Sequence, residues 1–175
     1  MRNETTKDGT HMPIKDENKN FNISINGGTW EESYRERIGY GNSGMYDKNR
    51  SFYGVSTFMF FNNMKNLTLT NMKFAHTAGF SVQTGDIEDV YIENIEFESC
   101  YADGIHINGN TKNTVTKNIK GQVGDDLVAL NMYDWQNSSV NFDPLDTVLC
   151  ENLELYENSR YKAIRIQPGI YYYDD

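Results

Sequence analysis

Three aspartates carry the chemistry that this sequence suggests. Asp103 opens the segment Asp103-Gly104-Ile105-His106-Ile107-Asn108, and Asp125 and Asp126 follow Gly124 and open Asp126-Leu127-Val128-Ala129-Leu130-Asn131. Carboxylates gathered in a groove can cleave a glycosidic bond: a protonated one delivers its proton to the leaving oxygen, and the others activate water or attack the sugar. Crowding separates these roles, because mutual repulsion raises one pKa and leaves the others ionised. Taken singly, each motif has a structural explanation, since Asp-Gly and Asp-Asp after glycine are turn sequences. Their alignment favours a site. As successive strands of a parallel stack, the two segments would lie one step apart, ~4.8 Å. Asp103, Asp125 and Asp126 would then form one acidic patch on the outer face, where repulsion serves no structural purpose.

The elements that must position these residues repeat along the chain. Phe58-Met59-Phe60, Phe80-Ser81-Val82, Ile105-His106-Ile107, Val128-Ala129-Leu130 and Ile164-Arg165-Ile166 each follow a turn, and each is expected to point two apolar residues inward. A second strand recurs in every winding and ends in asparagine: Leu67 to Asn71, Val90 to Asn94, Thr114 to Asn118 and Val148 to Asn152. The recurrence predicts a ladder of asparagine side chains bonding one another in a turn. In the third copy Thr114 and Thr116 stand where the others have apolar residues, which suggests a slip that turns Val115 inward. Gly79 to Gly104 spans 25 residues, Gly104 to Leu127 spans 23 and Leu127 to Ala163 spans 36, so the last winding carries an insertion, Met132 to Asp146. That insertion is expected to form a wall beside the acids.

The pattern is that of an all-β parallel solenoid. Residues 1–20 read as a polar N-terminal arm or partial cap and residues 21–175 as the solenoid domain, with loops at 31–54 and 132–146. Composition agrees: only 38% of the 175 residues are hydrophobic, as suits a narrow core lined by every second residue. A net charge of -9 argues against nucleic acid and anionic membrane as partners, because both are bound by clustered cations. No metal-ligand spacing involves Cys100 or Cys150, which read as buried free thiols, and no cofactor is expected. Met1 to Asn20 lacks the apolar region of a signal peptide.

Stacking the first strands also predicts two outward columns beside the acids, Ser81, His106, Ala129 and Arg165 in one and Gln83, Asn108, Asn131 and Gln167 in the next. Both suit sugar hydroxyls. His106 is a candidate substrate contact or proton partner, with an idle exposed residue as the alternative. Trp135 in the insertion would stack on a sugar or pack its own loop down, and Arg165 would bind an acidic group or pair with an acid.

The Asp-Gly-Ile-x-Ile of Asp103 to Ile107, the Gly124-Asp125-Asp126-Leu127-Val128-Ala129-Leu130 segment and the order of the repeats resemble family 28 glycoside hydrolases. These are the polygalacturonase relatives in the pectin lyase-like superfamily of right-handed parallel β-helices. The resemblance runs from about Gly27 to Ile166 and implies a secreted polysaccharide hydrolase. It implies Asp125 as the general acid, with Asp103 and Asp126 activating water in an inverting reaction. Two departures stand out. Tyr101-Ala102-Asp103 replaces the family's N-T-D, and Tyr161-Lys162-Ala163 replaces its G-H-G, leaving Lys162 where a histidine is usual.

The expectation is therefore a glycoside hydrolase acting on a pectin-like or other glycan, with Asp103, Asp125 and Asp126 catalytic and His106, Asn108, Asn131, Trp135, Lys162 and Arg165 binding substrate. Two alternatives stay open: a catalytically silent β-helix for carbohydrate binding or adhesion, and a polysaccharide lyase using Lys162 or Arg165 as base. The tail after Ile166 reads as a strand without a covering layer, so a partial solenoid that self-associates through its C-terminal edge is also expected.

Overall fold

The computed structural model describes residues 19–32, 46–47, 52–53, 57–133 and 143–169. Eleven strands occur among them: β1 (Asn20–Asn26), β2 (Thr29–Glu31), β3 (Tyr46–Asp47), β4 (Phe52–Tyr53), β5 (Thr57–Ala75), β6 (Phe80–Cys100), β7 (Ile105–Asn108), β8 (Thr111–Val123), β9 (Val128–Tyr133), β10 (Leu145–Leu155) and β11 (Ile164–Gly169). The described residues contain no helix. Nine strands form one open parallel sheet in the order β1-β5-β6-β7-β9-β11, with β2 on β5, β8 on β6 and β10 on β8. The exception is the antiparallel pair β3 and β4, inside the segment expected to be a loop at 31–54.

β5 and β6 are 19 and 21 residues long, far beyond the usual strand of about five or six. They reach that length by bending at residues with positive φ. Asn71, Asn94, Asn118 and Asn152 have φ of 57°, 56°, 53° and 55°, a left-handed conformation that asparagine tolerates because its short amide can bond locally. Their amides form the predicted ladder: Asn152 Nδ2 donates to Asn118 Oδ1, Asn118 Nδ2 to Asn94 Oδ1, Asn94 Nδ2 to Asn71 Oδ1 and Asn71 Nδ2 to Asn26 Oδ1, at 2.7–2.9 Å. A second column of bends, at Asn66, Asp89 and Asn113, had no counterpart in the sequence reading. There Asn66 Nδ2 donates to Asn22 Oδ1 and Asn113 Nδ2 to Asp89 Oδ1.

Between the bends every second side chain enters one continuous core. Leu67, Val90, Thr114 and Val148 stand in register, as do Leu69, Ile92, Thr116 and Cys150, and then Met72, Ile95, Ile119 and Leu153. Phe74 stacks on Phe97 with ring centroids 5.5 Å apart. Ile105, Ile107, Val128 and Leu130 are buried as expected.

Four details of packing differ from the expectation. Met59 and Phe61 belong to the main core, and Phe58 packs against it edge-on to Phe74 as expected, whereas Phe60 packs outside it with Phe80 and Ala102. Thr114 and Thr116, not Val115, point inward, because the asparagine ladder holds β8 in step with β6. Ile164 and Ile166 lie opposite Val128 and Leu130 yet are 38% and 66% exposed, since β11 has a described neighbour on one side only. Cys100 is buried, but Cys150 is only partly so; both are free thiols.

Buried Thr114 Oγ1 and Thr116 Oγ1 have no hydrogen-bond partner among the described residues. An unbonded buried hydroxyl costs about 1–3 kcal/mol by mutational measures, so the near-isosteric Thr116→Val should stabilise the fold by an amount of that order. Urea unfolding checks this, and a lower midpoint in the variant would show that the hydroxyl is bonded. Asn94→Ala should instead be destabilising by more than Asn94→Gly, by about 1 kcal/mol, because alanine resists the left-handed bend that glycine accepts.

Candidate active site

The carboxylates are brought together by backbone register. β7 pairs with β9 so that Ile105 faces Val128, His106 faces Ala129 and Asn108 faces Asn131. The pairing continues into the turns before both strands, where Gly104 N–H donates to Asp126 O and Ile105 N–H to Leu127 O. The glycines permit this approach: a Cβ on Gly124 would lie 2.1 Å from the Tyr101 carbonyl oxygen, and one on Gly104 would lie 2.7 Å from that of Leu127. Close packing of turn on turn therefore accounts for both Gly104 and Gly124, and it leaves Asp103 stacked against Asp125 and Asp126.

One carboxylate oxygen from each of the three lies within 4.8 Å of the others. Asp103, Asp125 and Asp126 are 3%, 2% and 1% exposed, which corrects the expectation of an outer, solvated patch. Burial changes their electrostatics. Desolvation, and then the negative charge of Asp103, push the Asp126 carboxyl above the ordinary aspartate range, and Arg165 opposes the shift. Arg165 Nη1 stands 3.4 Å from Asp126 Oδ2. Among the described residues the three aspartates are also the one group spaced to share a cation, a role that the sequence did not suggest.

Asp103 accepts two bonds. Its Oδ1 receives the backbone N–H of Asp126 at 3.0 Å, and its Oδ2 lies 2.6 Å from His106 Nδ1. With Nδ1–H donating to Asp103, His106 Nε2 accepts from Asn131 Nδ2 at 3.0 Å and Asn108 Nδ2 at 3.3 Å. The network runs on: Gln83 Nε2 donates to Asn108 Oδ1 at 2.7 Å, and Thr57 Oγ1 to Gln83 Oε1 at 2.8 Å. Phe80 lies flat on the His106 ring, centroids 4.0 Å apart and planes within 14°.

This geometry corrects the outward columns. Gln83, not Ser81, stands opposite His106, followed by Ala129 and Arg165, because Val82 rather than Phe80 pairs with Ile105. Ser81, Gln83, His106, Asn108, Ala129 and Asn131 are all buried, so they form a packed polar layer instead of a surface for sugar hydroxyls. The layer opens toward Arg165, whose side chain is 34% exposed, and Lys162 nearby is exposed while its carbonyl accepts the Leu127 N–H. Trp135 and most of the expected wall at 132–146 lie outside the described residues.

Sequence reading missed Thr57 and placed Phe80 in the core, away from the histidine it covers. Gln83 was visible as a polar residue of the right parity two places from its true register, but nothing in the sequence marked Phe80 as the partner of a histidine. A separate groove of about 670 Å³ follows the asparagine ladder along Asn71, Asn94, Asn118 and Asn152, and none of the three aspartates lines it.

Compared with protein-family models, with curated proteins and with solved structures, the chain has no match.

The upward shift of Asp126 sets the sign of a pH effect. A buried carboxyl with a raised folded-state pKa is tolerated best below its unfolded value of about 3.9, and stability is lost as pH rises from there through the folded value. Asp126→Asn should therefore gain on the wild-type chain as pH rises across that interval, in urea midpoints taken at successive pH. A difference that is constant with pH, or that shrinks, would contradict the shift.

Proposed function

We propose that the parallel sheet coils as a right-handed β-helix and that Asp103, Asp125 and Asp126 are the acid and base groups of a glycoside hydrolase similar to family 28. One observation carries this reading: three buried carboxylates from two adjacent turns, with oxygens within 4.8 Å of one another. Such crowding is unfavourable for a fold and useful for catalysis, because the group retains a proton at a pH where separate aspartates would be ionised. The resemblance assigns the donated proton to Asp125. The upward shift of Asp126 supports a proton in the cluster, which strongly interacting carboxyls hold as a set.

In the proposed reaction the protonated member protonates the glycosidic oxygen as the bond breaks, and an ionised member takes a proton from the incoming water. The closest oxygens are nearer than the ~5–9.5 Å between carboxyl groups in retaining and inverting enzymes, so the spacing assigns no stereochemical outcome. His106 fits a positioning role: its bond to Asp103 Oδ2, with the Asp126 N–H on Oδ1, occupies both oxygens of Asp103 and fixes the orientation of that carboxyl. Substrate would reach the acids from the side of Lys162 and Arg165, where the polar layer is least covered.

The lyase alternative asks Lys162 or Arg165 to act as base, but Arg165 faces Asp126 as its cationic partner, which favours the hydrolase. A silent glycan-binding module gains one observation, the open groove along the asparagine ladder beside otherwise closed acids.

On a polysaccharide that yields reducing ends, Asp125→Asn should lower turnover by ~10² to 10⁴, the usual loss when general acid catalysis is removed. The wild-type products should show no new ultraviolet absorbance, which elimination would create. A folded Asp125→Asn chain with full activity would remove Asp125 from the mechanism, and binding without cleavage across a broad glycan panel would establish the silent module.

A further inference from the structure

The charged residues on the outer faces of the sheet alternate in sign from strand to strand. Lys65 of β5 stands opposite Glu88 of β6, Glu88 opposite Lys112 of β8, and Lys112 opposite Asp146 of β10. A second column runs Lys73, Glu96, Lys120, Glu154 in the same strands. A third, beginning at neutral Thr70, runs Glu93, Lys117, Glu151. Ion pairs link several steps: Lys65 to Glu88 at 3.0 Å, Lys117 to Glu151 at 3.3 Å and Lys120 to Glu96 at 3.5 Å. Opposite charges facing each other across a strand pair are favourable and like charges unfavourable, so this order selects which strand may lie beside which.

β10 is the acidic end of the series. Among the described residues it pairs with β8 alone, and its three acids are exposed. Two further features of that strand point the same way. Val148, Cys150, Leu153 and Leu155 are only partly buried, whereas Val90, Ile92, Ile95 and Phe97 in the same columns are buried. Asn152 donates to Asn118, and its own Oδ1 stands where Asn118, Asn94 and Asn71 each accept from the next strand.

We propose that the edge of β10 opposite β8 docks a parallel strand carrying lysine opposite Asp146, Glu151 and Glu154, asparagine opposite Asn152 and apolar residues opposite Val148, Cys150, Leu153 and Leu155. Backbone bonds along that edge supply the attachment, as in other strand additions, and the three lysines supply register and selectivity. The partner is not the opposite edge of a second copy. There β1 and β2 offer Phe21, Asn26 and Thr29 in the three columns, none of them a cation. The proposal rests on strand register and charge alone and is independent of the hydrolase reading.

The test uses the whole chain and two labelled peptides of 11 residues, the length of β10. One carries lysine at the three positions and the other glutamate, with asparagine and apolar residues placed alike in both. In fluorescence anisotropy at low salt the lysine peptide should bind at least about ten-fold more tightly, and the gap should narrow as salt screens the pairs. The neutral variant Asp146→Asn, Glu151→Gln, Glu154→Gln should bind both peptides alike. Equal affinities for the wild-type chain, no saturable binding of the lysine peptide, or preference retained in the neutral variant would overturn the proposal. So would sedimentation showing a homo-oligomer whose contacts exclude the peptide from β10.

Discussion

The structure depends on in-register parallel pairing, strand on strand, and the left-handed asparagines make that register unambiguous. A parallel pair joined only by backbone bonds can slip, and a slip of one residue carries every side chain to the other face. Here Asn71, Asn94, Asn118 and Asn152 are each bent in the same way and each bonded to the one before, so only one alignment lets all of them pair. The buried columns follow from it. So does the inward placement of Thr114 and Thr116 against their own preference, since the ladder on one side of β8 and the core on the other leave no freedom to turn Val115 inward.

The same register creates the candidate site. No single turn would gather three carboxylates, but close stacking of the Tyr101–Gly104 and Gly124–Leu127 turns does so as a geometric consequence. The surrounding layer is built to hold them. His106 and the Asp126 N–H occupy both oxygens of Asp103, Phe80 covers the His106 ring, and Asn131, Asn108, Gln83 and Thr57 extend the bonding away from the acids. A low-dielectric polar network of this kind strengthens the repulsion among the aspartates as well as the bonds that restrain them.

Much of this was legible in the residues. The two-strand repeat, the asparagine ladder and the convergence of Asp103 with Asp125 and Asp126 follow from spacing, because parallel stacking turns recurrence along the chain into adjacency in space. Burial was not legible. Ser81, Gln83, His106, Asn108 and Asn131 alternate with core residues and so read as outward, and alternation cannot say that the outward face is itself covered. The faces of β5 were likewise ambiguous, since Phe58-Met59-Phe60-Phe61 is apolar at every position and either parity fills the core. Thr114 and Thr116 misled for the opposite reason, two polar residues held inward by a register set elsewhere.

The central claim is that stacked turns force three aspartates into one coupled, buried group. Carbon-13 NMR of labelled aspartate carboxyls, followed with pH and assigned by single Asp→Asn variants, tests it directly. Coupling predicts that at least one carboxyl among Asp103, Asp125 and Asp126 stays protonated well above the ordinary range near 3.9, and that replacing any one of them displaces the titration of the others. Three independent titrations at ordinary aspartate values, each indifferent to the other two, would contradict it.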